Sequence, residues 1–174
     1  MDKETIAHWQ TTNTSLLVHA GIESARLDCL LLLQDELNKS KEWLLAHSEE
    51  IIPKPHLIEL NKKIAQRAQR TPLAYVRNTQ EFYGRKFYVD SNVLVPRPES
   101  EAMINLLISA NKQKAITIID IGTGSGCLAI TAKLEFPRAT VLATDTSEPA
   151  ILVAKNNAAI HKADIQFEQT SLLP

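Results

Sequence analysis

Seven consecutive residues, Asp120-Ile121-Gly122-Thr123-Gly124-Ser125-Gly126, concentrate the chemistry this sequence can offer. Glycine at every second position lets the backbone turn tightly and approach a ligand with no Cβ in the way. A helix starting directly afterwards presents N–H groups that have no partner inside the helix. Such a loop alone is a weak signal; a strand before it, a helix after it and a later acid strengthen it. Asp145 is that acid, 23 residues beyond Gly122. A carboxylate there can accept both hydroxyl hydrogens of a ribose. Three readings compete. Dinucleotide sites favour Gly-x-Gly-x-x-Gly, whereas here Cys127 stands in the third glycine's place. An Asp-x-Gly-x-Gly-x-Gly pattern is the one S-adenosylmethionine sites show, and the residues favour it. A purely structural turn is the third reading. The chain has no Gly-Lys-Ser/Thr, which excludes a phosphate-gripping P-loop.

The elements that must position this loop alternate. The pattern predicts a helix over Glu99–Ala110, with Met103, Leu106 and Leu107 on one face, and a buried strand over Ile116–Ile121. A helix over Cys127–Phe136, a strand over Thr140–Thr144, a helix over Glu148–Ile160 and a strand over Ile165–Glu168 follow. Strand–helix–strand–helix–strand with short connections implies a parallel sheet with right-handed crossovers. Such domains usually carry about six strands, so the first half of a Rossmann-like doubly wound sheet is expected here. The Ile116–Ile121 strand is then expected to be an exposed apolar edge, prone to pair with another chain.

Ahead of that domain the chain reads as helices. Thr5–Ala20 stops at Gly21, and Ser24–Asn38 is an all-round apolar segment of the buried-bundle kind. Ser40 caps a short helix through Trp43, Leu44 and Leu45. Pro55 suits the first turn of a helix running to about Arg70, with Leu57, Leu60, Ile64 and Ala68 as its core stripe. Thr71-Pro72 ends the bundle. Aromatic residues around Gly84, then Val93-Leu94-Val95, predict a β-hairpin linker. The expected fold class is therefore α/β. A helical domain over residues 1–72 leads through a β-hairpin linker (73–98) into an incomplete cofactor-binding domain (99–174).

Composition sets the outer limits. The chain has 174 residues, 44% hydrophobic, with a formal net charge of −1, which excludes a disordered chain. Its longest unbroken apolar run, Cys29–Leu33, is far short of the ~20 residues that span a bilayer. No signal peptide is read at the N-terminus, and a cytoplasmic setting is expected. Charge is uneven: residues 1–53 sum to −5, residues 54–97 to +6 and residues 98–174 to −2. A basic middle can be a docking surface for RNA or an acidic protein; a solvated helix face with ordinary loop charges is the plainer reading and the one favoured. The five histidines show no metal-ligand spacing, so no metal site is expected. Cys29 reads as core; Cys127, at a helix N-terminus, reads as packing or as a thiol of lowered pKa. Tyr83, Phe87 and Tyr88 read as a base-stacking platform or as hairpin packing between domains. Arg97, tethered between prolines, reads as bracing the active site or the domain junction.

Thr71-Pro72-Leu73-Ala74-Tyr75, Glu81-Phe82-Tyr83-Gly84, Val95-Pro96-Arg97-Pro98-Glu99 and the glycine-rich loop occur here in one order and spacing. In this the chain resembles the release-factor glutamine methyltransferases of the HemK/PrmC type. Ala25-Arg26-Leu27-Asp28 and Trp43-Leu44-Leu45-Ala46-His47 extend the resemblance through the helical half. It implies a class I S-adenosylmethionine-dependent enzyme that methylates the glutamine side-chain amide in the Gly-Gly-Gln motif of peptide-chain release factors. Membrane and nucleic-acid partners are not expected. By that resemblance Gly122, Thr123, Gly124, Ser125 and Gly126, with Asp120 ahead of them, cradle the methionine part of the cofactor. Asp145 holds its ribose, Leu172 flanks its adenine, and the helical domain recognises the release factor. Two positions depart from the family: Ser171 stands near where an acid is common, and Arg77-Asn78 replaces a glycine-containing turn.

The family's Asn-Pro-Pro-Tyr, whose amide oxygen and backbone carbonyl stabilise charge developing on the amide nitrogen, occurs nowhere in this chain; Asn156-Asn157 lacks the prolines. No catalytic residue is therefore expected among these 174. A related enzyme acting on another protein glutamine or a nucleic-acid base, and a non-catalytic docking module, are the alternatives. Incubated alone with a release factor and labelled S-adenosylmethionine, this chain is expected to show no methylation above background; turnover would overturn that expectation.

Overall fold

Hydrophobic periodicity and capping set up five helices in the first part of the chain. The computed structural model describes residues 4–110 and 116–171. These form two units, Met1–Arg77 and Asn78–Pro174. No helix among the described residues is long and apolar enough to cross a membrane.

The first unit comprises α1 (Ile6–His19), α2 (Ala25–Leu37), α3 (Lys41–Ala46), α4 (Lys54–Ala68) and α5 (Leu73–Arg77). Thr5 and Ser40 cap α1 and α3, their hydroxyls accepting from the His8 and Trp43 N–H groups. Asn38 closes α2 in the left-handed conformation. Trp9, Leu17, Cys29, Leu32, Leu33, Leu60 and Ile64 fill the core. The indole of Trp9 finds its partner in Asn61 Oδ1 at 2.9 Å, joining α1 to α4. One expectation is corrected. α2 is not buried all round: Leu27 is 55% exposed, while Asp28, a charged residue, is 1% exposed. The reason is Arg67 on α4, whose Nε donates to Asp28 Oδ2 at 2.6 Å. Its Nη1 donates to the Thr71 carbonyl.

That pair belongs to a wider pattern. Arg77 donates to both oxygens of Asp35, and Lys63 and His56 converge on Glu36. Burial works against the Glu36 carboxylate, but Lys63 and His56 outweigh it and hold its pKa below the ordinary value. Three of the nine basic residues of the middle segment, Lys63, Arg67 and Arg77, thus pair with acids of α2.

The second unit begins with a hairpin of β1 (Gln80–Phe82) and β2 (Arg85–Phe87), antiparallel with Phe82 opposite Arg85. Tyr83 and Gly84 form its two-residue turn, both at positive φ, the type I′ geometry that matches strand twist. The hairpin is no intervening linker. Phe82 and Phe87 are fully buried against Ile104, Cys127, Ile130 and Ala158, which removes Phe87 from any stacking platform. Glu101 accepts from the Tyr83 N–H, Asn105 from the Tyr83 hydroxyl, and Glu135 from Arg85. Leu73–Arg77, read with the linker, is helical and ends the first unit. Asn78 then takes the left-handed conformation at φ 51°, which asparagine tolerates, so no glycine is needed there. Val93–Val95 is not a strand: it leaves a turn in which the Val93 N–H donates to the Asp90 carbonyl, and it runs into Pro96.

A 3-10 turn (Pro98–Ser100) leads into α6 (Glu101–Ala110). Then come β3 (Thr117–Ile121), α7 (Cys127–Glu135), β4 (Thr140–Asp145), α8 (Glu148–His161) and β5 (Gln166–Gln169). The three strands are parallel in the order β3-β4-β5, with Ile118 beside Val141 and Ala143 beside Phe167. Ile118, Val141, Ala143 and Phe167 pack on the helical side with Ala129. Among the described residues β3 is a sheet edge, with Ile119 43% and Ile121 55% exposed.

Removing one partner of a buried ion pair strands the other charge and costs about 3–5 kcal/mol, whereas replacing both with apolar groups of similar volume is often near neutral. Arg67→Met is therefore expected to lower stability by that amount in urea unfolding, and Asp28→Leu combined with Arg67→Met by much less. Equal losses in the two variants would show that the pair is not what the buried site responds to.

Candidate functional site

β3 ends at Ile121, and the chain reverses into α7 within five residues. Because no strand or helix ladder runs through this loop, its peptide groups need other partners. The Gly122 and Thr123 N–H groups both donate to the Thr144 carbonyl, at 2.8 and 2.9 Å, and the Gly126 N–H donates to the Thr123 carbonyl. The Gly124 N–H donates to Asp145 Oδ2 at 2.9 Å. Asp145 Oδ1 accepts from the Ser147 N–H, also at 2.9 Å. The acid ending β4 therefore braces the loop after β3 and the turn into α8 at once.

The three glycines do different work. A Cβ at Gly122 or Gly124 would meet nothing within 4 Å, so this side of the loop is open. A Cβ at Gly126 would lie 3.0 Å from Ile130 Cδ1 and 3.1 Å from Ala154 Cβ. Gly126, at φ 79°, is the close approach between loop and α8. Thr123 and Ser125, expected to line the cradle, are 6% and 2% exposed and turn into the protein. The Thr123 hydroxyl donates to Asp120 Oδ2 at 2.7 Å. Of the loop side chains expected at the cradle, Thr123 and Ser125 thus face inward; alternation of glycines with small polar residues does not reveal which face they take.

Asp120 lies on β3 beneath this loop. Burial pushes its carboxyl pKa above the ordinary value, against hydrogen bonds from Thr123 and the Ala129 backbone, with a smaller push from the charge of Asp145. Burial likewise raises the Cys127 thiol to about 11, so the thiol is protonated near neutrality and the helix N-terminus does not activate it. Cys29 is also raised by burial. Both cysteines are buried and free.

Arg97 is exposed, its carbonyl accepting from the Ser100 N–H; no hydrogen bond joins its side chain to the loop among the described residues. Leu172 lies outside the described residues. Ser171 is exposed. No group of three or more metal-ligating side chains assembles among the described residues. His19 and His47 instead bond carbonyls four residues back, and His161 bonds the Lys86 carbonyl. One residue that spacing could not reveal is Asn157, fully buried on α8 and bonded to the Ser125 carbonyl at 2.8 Å.

Comparison with known proteins agrees with this layout. Residues 8–77 match the PrmC N-terminal domain, and residues 100–172 match the ribosomal protein L11 methyltransferase (PrmA) family. The release factor glutamine methyltransferase of Koribacter versatilis is 38% identical over 88% of this chain and 55% of its own length. The chain is a relative of the release factor glutamine methyltransferases. That of Enterococcus faecalis is 36% identical with the same coverage. A bifunctional methyltransferase of Rickettsia bellii is 34% identical over 83% of this chain and 31% of its own. The chain thus spans about half, or less, of the length of these methyltransferases.

Because burial raises the Asp120 pKa, the folded state binds this proton more tightly than the unfolded state. Stability from this group is full below the ordinary aspartate value and declines as pH rises through the raised one. Asp120→Asn removes that decline. Its melting temperature is expected to gain on the wild type from pH 4 to pH 7; a gap constant with pH would contradict the raised value.

Proposed function

We propose that this chain is the substrate-recognition and cofactor-loop part of a class I S-adenosylmethionine-dependent methyltransferase. Its substrate is the glutamine side-chain amide in the Gly-Gly-Gln motif of peptide-chain release factors, and its setting the cytoplasm. The observation that carries the reading is the braced loop: Gly122 and Gly124 leave an open face directly beside a carboxylate at the end of β4. An ionised carboxylate offers about four lone-pair sites. Asp145 commits one per oxygen to the backbone, leaving capacity for both hydroxyls of a ribose.

The residues present fit the cofactor. Gly122 and Gly124 admit the methionine part close to the backbone, Asp145 takes the ribose, and the Asp120 carboxylate complements an α-ammonium. Thr123, Ser125 and Gly126 act from behind, by fixing loop shape. When bound, S-adenosylmethionine supplies an electrophilic methyl on a sulfonium. An amide nitrogen is a poor nucleophile, since its lone pair is delocalised, so the enzyme must hold it in line with that methyl. Here the loop fixes one partner of that alignment. The helical unit, whose match is to the PrmC N-terminal domain, engages the release factor.

A second reading has one observation in its favour, the match of residues 100–172 to the ribosomal protein L11 methyltransferase family: the acceptor is then a ribosomal protein. Mass spectrometry of release factor and ribosomal proteins from cells with and without the gene separates the two by which one loses its methyl group.

Cofactor binding tests both against a docking module. Calorimetry is expected to show S-adenosylhomocysteine binding. Asp145→Ala, folded by circular dichroism, is expected to weaken it by about tenfold or more, since hydrogen bonds to a charged group contribute about 1.5–3 kcal/mol. Unchanged affinity would remove Asp145 from the site.

A further inference from the structure

Asn157 sits in the middle of α8 with no exposure, and every hydrogen-bonding direction of its NH2 is used. Its Nδ2 donates to the Ser125 carbonyl at 2.8 Å and to the Tyr88 carbonyl at 2.9 Å. Its Oδ1 accepts from the Tyr88 N–H at 2.7 Å. Towards Tyr88 the carboxamide therefore behaves as a neighbouring strand would, taking both backbone groups of one residue just past β2. Towards the loop it holds the one carbonyl between Gly124 and Gly126. On the same face of α8, Ala154 stands where a Cβ on Gly126 would meet it at 3.1 Å. Two contacts a helical turn apart thus fix α8 against the loop, one by close packing and one by a directed bond.

We propose that Asn157 is a positioning residue for the cofactor loop, setting the height of the Ser125–Gly126 peptide and coupling it to the hairpin through Tyr88. This rests on the reading of residues 122–126 as the S-adenosylmethionine cradle. Asn157 itself touches no ligand: it is buried behind the loop, while the open face lies at Gly122 and Gly124. Only a side chain with an acceptor and two donors in one plane satisfies all three backbone groups. Glutamine is too long for the site and aspartate reverses the polarity towards two carbonyls.

The test uses S-adenosylhomocysteine binding by calorimetry, well below the melting temperature, on wild type and Asn157→Asp across pH 5 to 8. A protonated carboxyl donates one O–H to a carbonyl and still accepts from the Tyr88 N–H; an ionised one faces the Ser125 and Tyr88 carbonyls with repulsion. The other titratable groups on the packed elements, Asp120, Asp145, Tyr88, Asp90, Cys127 and His161, are common to both proteins, so wild type supplies the baseline. Asn157→Asp is expected to bind about tenfold or more weakly than wild type at pH 8, with the deficit shrinking as pH falls, because a buried group left unsatisfied costs free energy. A deficit in melting temperature alone, with affinity equal to wild type throughout, would reduce Asn157 to a fold-stabilising role and overturn the proposal. If wild type itself does not bind, the cradle reading falls and takes this one with it. Should Asn157→Asp not fold, Asn157→Ser carries the test: folded, it must bind more weakly than wild type, and equal affinity overturns the proposal.

Discussion

A chain that reverses from a strand into a helix within five residues has to satisfy its peptide groups without a ladder, and the second unit is organised around that demand. The end of β4 supplies a carbonyl that takes two N–H groups and a carboxylate that takes a third. α8 supplies a carboxamide for a carbonyl. These donors and acceptors come from residues 21 to 32 positions further along the chain. The loop's shape is therefore a property of the assembled sheet rather than of its own sequence.

This bracing changes what the loop has to offer a ligand. Peptide N–H groups of Gly122, Thr123, Gly124 and Gly126 are spent internally, so what the loop leaves open is the face at Gly122 and Gly124 and the remaining lone pairs of Asp145. Asp120 adds a carboxyl whose ionisation is opposed by burial. A charge held at a cost in the fold becomes favourable where a cation is brought to it, which is the usual economy of a binding site.

The first unit solves a different problem. α2 buries a charged residue within an otherwise leucine-rich segment, and its acids at 28, 35 and 36 draw in Arg67, Arg77, Lys63 and His56 from α4 and α5. Part of the uneven charge along the chain is matched by internal pairing, acids of α2 with Lys63, Arg67 and Arg77. Apolar burial holds the bundle together; the ion pairs set how α2 lies against α4, because a buried carboxylate tolerates few geometries.

The sequence by itself determined the alternation of strands and helices after Ile116, the parallel sheet and the loop with its acid. Those features are written locally, in periodicity, capping residues and glycine spacing. Ser40 before Trp43, Gly126 before α7 and the alternation after Ile116 each stand within a few residues of what they specify. Only the tertiary structure decided that the hairpin is core rather than linker, that Thr123 and Ser125 face inward, that Cys127 is protonated and packed, and that Asn157 holds the loop. Each of these depends on which distant atoms come within hydrogen-bonding or packing distance, and burial sets both a side chain's direction and its pKa. A mid-helix asparagine looks the same in sequence whether it faces water or a buried carbonyl; the fold alone brought Ser125 and Tyr88 to it.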